Sequence, residues 1–315
     1  MIARHPVFSD SSMSPLRIGT RGSRLALWQA NFVADLLRRV AAPRPVQIVE
    51  IQTAGDQAQD QPLKEIGGEG LFTKEIQRAV LAGKADVAVH SLKDLPTLAV
   101  ESLVLAAVPP RGPVLDVMVS QRHKSFDDLP KGAAIATSSP RRRAQSLHRR
   151  PDLRVVEIRG NVETRLKKLV EENLDALILA IAGLERLGLD QKFFIEPLEW
   201  MLPAVGQGAL GLECRADDAT TRDLLQKLED RPTRQAVDAE RALLRALGGG
   251  CQVPIGVCTS MQQDTLRLRG VVLSPDGKQR LEAEGAANAM DSESLGSSVA
   301  QILLSKGAQQ LLNAG

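Results

Sequence analysis

The sequence has 315 residues, of which 43% are hydrophobic and 25% are charged, and its formal net charge at pH 7 is +2. This composition is that of a globular protein and excludes a disordered chain, and the length predicts two or three domains. Six phenylalanines, two tryptophans and no tyrosine offer few rings for base stacking, which disfavours a protein that grips single-stranded nucleic acid.

Strand and helix patterns alternate along the first two thirds of the chain. Short apolar runs predict strands, and apolar residues at helical spacing predict helices. The predicted order is a strand at 16–20, a helix at 24–40 capped by Ser23, a strand at 46–51, a helix at 71–82, strands at 86–92, 103–108, 115–120 and 133–137, a helix at 140–149, a strand at 154–158, a helix at 162–172, and strands at 176–181 and 206–215. Such alternation indicates parallel α/β units, and it restarts after residue 120, so the sequence predicts two α/β domains.

A polar segment at 53–69 interrupts this alternation and has no periodicity of its own. Long loops inside compact domains tend to be lids or binding loops. We therefore predict a lid over an active site at this point of the chain.

The rest of the chain has a different pattern. A helix at 233–247 precedes strands near 255–259, 266–272 and 280–283 and a final helix at 295–312, which together predict a smaller α+β domain. The run Gly248-Gly249-Gly250-Cys251 follows the first of these helices. Three glycines allow an exposed loop, and an exposed thiol there suggests a covalent role for Cys251.

The other cysteines, Cys214 and Cys258, are flanked by strand-like residues, and we predict that both are buried. Three cysteines without C-x-x-C spacing disfavour a disulfide framework and a zinc site. The first residues contain no apolar leader, and no apolar run reaches the roughly 18 residues that a membrane span needs. These features predict a protein of the reducing cytoplasm.

Polar side chains follow the first predicted strands. Arg21 and Ser23 lie at the start of a helix, whose exposed N–H groups attract anions; a capping turn with a surface arginine is the alternative. Lys93 and Asp94 end a buried strand, where open α/β sheets place functional groups; a surface ion pair is the alternative there. His90, within that strand, is predicted to be a core histidine.

A denser group follows the strand at 133–137. Its members are Thr137, Ser138, Ser139, Arg141 and Arg142. Hydroxyls and arginines at a helix start predict a site for phosphate or carboxylate, with a solvated basic face as the alternative.

Arginines also follow the next two strands, at Arg159, Arg165 and Arg186. The planar guanidinium group binds carboxylates in a bidentate manner. One ligand with several separated carboxylates explains these repeated arginines better than a single phosphate does.

Eight segments of the chain together resemble the porphobilinogen deaminase (hydroxymethylbilane synthase) family over nearly the whole length. In order they are RGSRLALWQA, GGEGLFTKEI, ADVAVHSLKDLP, TSSPRRRAQSL, RGNVETRL, AGLERLGL, PAVGQGALGLECR and GGGCQVPIG. The resemblance implies two α/β domains like those of periplasmic binding proteins, flanking a cleft, and a smaller α+β C-terminal domain. The expected domains are residues 14–110 with 209–228, residues 111–208, and residues 231–315.

The resemblance also implies a reaction. Members of the family are transferases of tetrapyrrole biosynthesis that join four molecules of porphobilinogen, a pyrrole with an aminomethyl arm, an acetate and a propionate. The chain grows on a covalent dipyrromethane cofactor, and hydrolysis then releases hydroxymethylbilane. The implied partner is this small molecule alone, without nucleic acid or membrane, and the implied state is a monomer.

The same resemblance assigns site residues. It implies Cys251 as the thioether attachment point of the dipyrromethane and Asp94 as the catalytic carboxylate, with no metal ion. The implied substrate- and cofactor-binding residues are Arg21, Ser23, Phe72, Lys93, Thr137, Ser138, Ser139, Arg141, Arg142, Arg159, Arg165 and Arg186.

Two other functions remain open at this point. A non-catalytic solute-binding or effector-sensing module can share this fold, but it has no need for Cys251 on a glycine loop or for Asp94 among arginines. A nucleic-acid binder that uses residues 141–165 is the second alternative. The small net charge disfavours it, and salt-dependent binding to DNA would support it.

Overall fold

The computed structural model describes residues 14–52, 73–189, 192–248 and 253–313. These residues contain two five-stranded sheets and one three-stranded sheet. The predicted lid at 53–69 lies outside the described residues.

The first sheet combines the N-terminal strands with one strand from much later in the chain. Its elements are β1 (Leu16–Thr20), α1 (Arg24–Ala41), β2 (Val46–Glu50), α2 (Lys74–Leu81), β3 (Val87–Ser91), β4 (Leu103–Ala107), β10 (Leu210–Arg215) and α6 (Ala219–Gln226). The strand order is β2-β1-β3-β10-β4. Helix α1 begins after Ser23, whose Oγ accepts a hydrogen bond from Ala26 N at 3.3 Å. It buries Val33 and Leu37 in the core beside this sheet.

The second sheet lies between the two halves of the first in the sequence. Its elements are β5 (Asp116–Ser120), β6 (Ala134–Ala136), α3 (Pro140–Arg149), β7 (Arg154–Val156), α4 (Val162–Glu171), β8 (Ala176–Ala180), α5 (Ile181–Leu187) and β9 (Phe194–Pro197). The strand order is β7-β6-β8-β5-β9. Helix α3 starts with Pro140, which lacks an N–H that the first turn would leave unpaired. Helix α4 is capped by Asn161, whose Oδ1 accepts a hydrogen bond from Thr164 N at 2.8 Å.

The C-terminal part packs helices on a three-stranded antiparallel sheet. Its elements are α7 (Arg231–Ala246), β11 (Ile255–Gln262), β12 (Thr265–Leu273), β13 (Arg280–Asn288), α8 (Ser292–Ser305) and α9 (Ala308–Asn313). Leu243 of α7, Leu268 of β12 and Val299 of α8 are fully buried in its core. The predicted α/β class with a smaller α+β C-terminal part is thus confirmed.

Three details of the sequence prediction are wrong. The predicted parallel pairing is confirmed for β1 with β2 and β3 and for β6 with β7 and β8, but it is wrong for the rest of both sheets. There β10 runs antiparallel to β3 and β4, and β5 runs antiparallel to β8 and β9. The final helix is interrupted at Gly307, whose φ of +96° is incompatible with a continuous helix. The elements α5, α6 and β9 were absent from the prediction, since their segments are short and carry little periodicity.

The fold collects the predicted motifs at the carboxyl ends of strands. Arg21 follows β1, Lys93 follows β3, Thr137 follows β6 and Arg159 follows β7. The carboxyl ends of parallel strands share one edge of a sheet, which is where α/β folds bind ligands. Each of the two larger sheets therefore contributes one set of polar residues to a common region.

Candidate active site

Lys93 and Asp94 belong to a short 3₁₀ turn directly after β3. The residues on either side of the pair, Leu92 and Leu95, are 1% and 5% exposed. The Leu92 N–H donates to Ala209 O at 3.0 Å, which joins the turn to the segment that enters β10. Two buried leucines thus anchor the turn, and the polar pair between them is only partly exposed.

The charge of Lys93 interacts with two arginines that belong to the second sheet, Arg141 and Arg142. Burial lowers the pKa of its ammonium to about 8, although Asp94 acts in the opposite direction. Arg142 and Arg141 add to the lowering, and Asp116 opposes it. The structure therefore brings the Lys93–Asp94 turn of the first sheet close to the start of α3 in the second sheet.

Asp116, at the start of β5, is fully buried and binds both of these arginines. Arg141 Nη1 donates to its Oδ2 at 2.6 Å, and Arg142 Nε donates to its Oδ1 at 2.9 Å. Gln207 Nε2 donates to the same Oδ1 at 3.1 Å. Burial alone would raise the pKa of Asp116, but the two arginines outweigh it and lower the pKa to about 2. The ionised carboxylate fixes both guanidinium groups.

Arg141 and Arg142 are buried, and their hydrogen bonds are to other groups of the protein. They are 4% and 6% exposed, and they also donate to Leu202 O at 2.7 Å and to Ile178 O at 2.9 Å. Their assignment to substrate carboxylates stays a prediction. In the structure they are first of all the partners of Asp116.

Arg159 and Arg165 carry charge that Asp116 does not neutralise. Arg165 Nε donates to Gly160 O at 2.8 Å. Burial, together with the charges of Arg142 and Arg159, lowers the pKa of Arg165 to about 10, although Asp94 acts in the opposite direction. The Arg159 Nη1 atom is buried and has no hydrogen-bond partner among the residues that the structure describes. A buried unpaired donor is costly, and an anionic ligand would satisfy it.

These side chains form one positively charged cluster. Five cationic side chains face two carboxylates; the members are Lys93, Arg141, Arg142, Arg159, Arg165, Asp94 and Asp116. The excess of positive charge in a partly buried region favours a ligand with several carboxylates. Six of the seven members were predicted from the sequence.

The three predicted hydroxyl residues serve the backbone around α3. Thr137 Oγ1 accepts a hydrogen bond from Ser139 N at 3.1 Å, and Ser139 Oγ accepts one from Arg142 N at 3.4 Å. Ser138 Oγ donates to Ile158 O, which joins β6 to the end of β7. These bonds shape the helix start, so the expected contacts of the hydroxyls with substrate stay a prediction.

The sequence also predicts Arg186 and Arg21 as binding residues, and the contacts of Arg186 lie at the junction of the two larger sheets. Arg186 Nη2 donates to Gly208 O at 2.7 Å, and its guanidinium group lies 5.5 Å from the ring centre of Trp28 in α1. Arg21 and Ser23 stand between β1 and α1, where Ser23 is the helix cap. Their roles toward substrate stay predictions.

A second contact also joins α1 to a helix of the second sheet. Arg24 in α1 forms an ion pair with Glu163 in α4. Together with the Arg186–Trp28 contact, it connects helices of the first and second sheets.

The cysteine predictions have three different outcomes. Cys251, the predicted attachment residue, lies outside the described residues, as does Phe72. Cys214 in β10 is buried, as predicted. Cys258 is exposed, so the prediction of burial was wrong: after Val257 the outer face of β11 is not covered by other elements, and its side chain points to that face.

His90 is buried, at 4% exposed, as predicted for a core histidine. Its Nε2 lies 3.0 Å from Glu213 Oε2 in β10, and Gln77 Nε2 donates to the same oxygen at 2.9 Å. Burial would raise the pKa of Glu213, but its contacts with His90 and Gln77 lower it overall. Glu213 is thus a buried acid that is paired with His90 and Gln77.

Sequence reasoning did not single out Asp116 or Gln207. Asp116 stands in the apolar run VLDVMVS, and a carboxylate in such a run needs a cationic partner. That signal would have linked it to the arginine-rich segment. Gln207 had no comparable signal.

Within the described ranges, no group of three or more His, Cys, Asp or Glu side chains could hold a metal ion. No described helix is both long enough and apolar enough to cross a membrane.

Comparison with known proteins gives two family matches. Residues 16–223 match the model of the porphobilinogen deaminase dipyrromethane cofactor binding domain, and residues 234–305 match that of the porphobilinogen deaminase C-terminal domain. A porphobilinogen deaminase from Pelotomaculum thermopropionicum is 49% identical over 298 residues, which cover 94% of this chain and 96% of the relative. One from Geobacter metallireducens is 50% identical over 298 residues, covering 94% of this chain and 93% of the relative.

Among solved structures, a TRAP periplasmic solute binding protein from Desulfovibrio salexigens is similar at 12% identity and a TM-score of 0.43. The likeness covers 72% of this chain and 74% of that protein. It is too distant to support an inference about function.

Proposed function

The chain belongs to the porphobilinogen deaminase family, and from that premise we propose how its side chains carry out the family's reaction. The activity is that of a hydroxymethylbilane synthase, a transferase that joins four porphobilinogen molecules head to tail on a dipyrromethane cofactor and releases the product by hydrolysis. Membership in this family of enzymes excludes the alternative that the chain is a non-catalytic solute-binding or effector-sensing module.

The charged cluster around Asp94 is the observation that carries the proposal. Porphobilinogen has two carboxylates, and loss of ammonia from its aminomethyl arm leaves a positive charge that spreads to the pyrrole nitrogen. A site for this chemistry needs cationic groups for the carboxylates and one anionic group for the pyrrole. Asp94, beside Lys93 and within the field of Arg165, has these surroundings.

Asp94 is proposed as the catalytic carboxylate. Its oxygen accepts a hydrogen bond from the pyrrole N–H and stabilises the developing positive charge, because an oriented charge in a partly dry site acts more strongly than in water. The same oxygen can take up the proton that is lost after the new carbon–carbon bond forms. Lys93 binds a substrate carboxylate next to it.

The residues of the cluster fit a bound dipyrromethane. The unpartnered Arg159 Nη1 and the surplus of cationic side chains match a group that carries four carboxylates. Arg141, Arg142, Arg159 and Arg165 would hold these carboxylates, and Cys251 would provide the thioether sulfur. When bound, the dipyrromethane supplies the free pyrrole carbon on which the product chain is built.

The remaining predicted residues complete the proposal. Arg21, Ser23, Phe72, Arg186 and the three hydroxyls of residues 137–139 are proposed to contact the growing chain. The proposed domains are residues 14–110 with 209–228, residues 111–208, and residues 231–315. Support comes from β10, which pairs with β3 and β4, whereas β5 to β9 form a separate sheet.

We further propose that the protein acts as a cytoplasmic monomer on small molecules alone, without nucleic acid or membrane. The cysteine content without disulfide spacing is typical of a reducing compartment. Light scattering after size exclusion, at several concentrations, tests the monomer: a mass that doubles with concentration would contradict it.

Intact-protein mass spectrometry tests the attachment residue. The purified chain is expected to be heavier by two linked pyrroles, and the Cys251→Ser variant is expected to have the unmodified mass. An adduct that persists in this variant would exclude Cys251 as the attachment point.

Steady-state kinetics test Asp94. Asp94→Asn is expected to lower kcat by at least about 10²-fold with a small change in KM, since the lost interaction forms only as charge develops. An unchanged kcat with a raised KM would instead assign Asp94 to substrate binding.

A further inference from the structure

One arginine of the C-terminal part binds the loop that carries Asp94. Arg241, in α7, donates from Nη1 to Leu95 O at 3.0 Å and from Nη2 to Pro96 O at 2.7 Å. One guanidinium group thus fixes two consecutive carbonyls, directly after the Lys93–Asp94 turn. The contact joins residues that are 145 and 146 positions apart in the chain.

Apolar packing reinforces this contact. Val237, one helical turn before Arg241 in α7, is fully buried in a cluster with Leu92 and Leu95. The two leucines flank Lys93 and Asp94. The face of α7 that contains Val237 and Arg241 therefore holds the turn on both sides of its polar pair.

The opposite side of the turn is held by the backbone of the segment that leads into β10. Leu92 N donates to Ala209 O at 3.0 Å. Gly206 approaches so closely that a Cβ at this position would lie 3.2 Å from the backbone nitrogen of Lys93. Pro96 has no N–H to donate to a strand, so the downstream end of the turn depends on bonds accepted by its carbonyls.

The charge of Arg241 is balanced locally. Burial lowers its pKa, while the charges of Asp238 and Glu213 raise it. Both acids act on Arg241 through their charge, while its N–H groups donate to the two carbonyls. The fork of Arg241 therefore remains aimed at Leu95 and Pro96.

We infer that Arg241 is a positioning residue for Asp94. It fixes the catalytic turn of the first sheet against α7, the helix that ends shortly before Cys251 in the sequence. The inference rests on the function proposed above for Asp94. It adds that the C-terminal part sets the place of the carboxylate and does more than carry the cofactor.

The test compares Arg241→Gln, Arg241→Lys and wild type, each as holoenzyme with cofactor loading checked by intact mass. We expect Arg241→Gln to lower kcat per loaded enzyme by between about 10-fold and 100-fold at a nearly constant KM, since a displacement of about 1 Å in a catalytic group can cost about 10²-fold. Arg241→Lys is expected to recover only part of the loss, because an ammonium lacks the planar fork.

A second readout is independent of turnover. Hydrogen exchange of a peptide that covers residues 92–97 is expected to speed up in Arg241→Gln, because the turn loses its downstream anchor. Arg245→Gln is the matched control. It removes the same charge one turn further along α7, from an exposed residue that forms an ion pair with the exposed Glu293 at 3.6 Å. Both kcat and exchange should stay at wild-type values.

A double variant separates positioning from general stability. In Asp94→Glu the carboxylate is already displaced, so adding Arg241→Gln should cost a smaller factor in kcat than it does in wild type. Equal factors in both backgrounds, or a wild-type kcat in Arg241→Gln, would overturn the inference. If Arg241→Gln does not fold, Arg241→Lys carries the same comparison.

The outcomes also separate this inference from the proposed function. A loaded wild type that does not consume porphobilinogen would refute the function. An active wild type whose Arg241 variants turn over normally would refute the inference alone.

Discussion

A single buried carboxylate, Asp116, holds two arginines in place. Removing one partner of a buried ion pair costs about 3–5 kcal/mol, because the other partner remains buried and unpaired. We expect Asp116→Asn to lower the free energy of unfolding by this amount in a urea titration. Asp127→Asn is the control, since Asp127 pairs with Arg149 at the surface and such pairs contribute less than about 1 kcal/mol. Equal losses would contradict the buried role.

The same residue predicts a pH dependence. The pKa of Asp116 is lowered to about 2 in the folded protein, below the roughly 3.9 of an unfolded aspartate. Its contribution to stability is therefore complete above the unfolded pKa and is lost as the pH falls through the folded one. The stability difference between wild type and Asp116→Asn should shrink from about pH 4 to about pH 2. A difference that stays constant would show that the charge is not responsible.

Lys93 titrates in the opposite sense. Its folded pKa of about 8 lies below the roughly 10.4 of an unfolded lysine. Its charged form therefore opposes folding at neutral pH, and this penalty falls as the pH rises from about 8 and is gone above about 10.4. A bound carboxylate should raise the pKa again. We expect NMR titration of the isotope-labelled, dimethylated lysine in Cys251→Ser to show this upward shift when porphobilinogen is added. Lys93→Arg identifies the resonance, and an unchanged pKa would exclude direct carboxylate binding.

At the scale of elements, Gly296 allows α8 to approach α7. A Cβ at this position would lie 2.2 Å from Ala239 O and 2.8 Å from the Ala242 Cβ. The two helices would have to separate, and overpacking of this kind costs about 1–3 kcal/mol. We expect Gly296→Ala to lower the thermal midpoint, measured by calorimetry. Ser298→Ala, at an exposed position of the same helix, should not lower it.

The outcome for each element shows which features are encoded locally. The first residues of α1 and α3 were predicted correctly, because Ser23 caps the first of these helices and Pro140 begins the second. The antiparallel direction of β10 could not be read from Leu210–Arg215, since it depends on where the chain returns after the second sheet. Local signals set the ends of elements, and long-range packing sets their partners.

The site divides in a similar way. The arginines and Asp94 were recognisable because strand–helix junctions place side chains at a sheet edge. Their partners were not: Asp116 is far from α3 in sequence, and Arg241 reaches the turn across 145 residues. Which charges neutralise one another is a property of the folded chain.

At the scale of the whole molecule, Glu240 of α7 binds both connections between the larger sheets. Its carboxylate accepts bonds from Arg111 Nη1 at 2.7 Å and Nη2 at 3.0 Å, and from Gly206 N at 2.8 Å. Arg111 lies between β4 and β5, and Gly206 lies between β9 and β10. The C-terminal part thus ties together the two segments that connect the two larger sheets.

Glu240→Gln is expected to loosen both connections together, since the amide cannot pair with the Arg111 charge. Hydrogen exchange should rise in peptides that cover 109–114 and 204–208, whereas the exposed Glu293→Gln should leave both unchanged. A change in only one of the two peptides would show that Glu240 does not link them.

The contact between Trp28 and Arg186 has an optical consequence. Trp28 is one of two tryptophans and lies on a helix of the first sheet, while the guanidinium group over its ring belongs to a helix of the second. Trp200, the other one, packs on Phe126 within the second sheet. The emission maximum of an indole depends on nearby charge and on exposure to water. In a Trp200→Phe variant, the emission maximum of Trp28 would therefore change if the contact with Arg186 were lost.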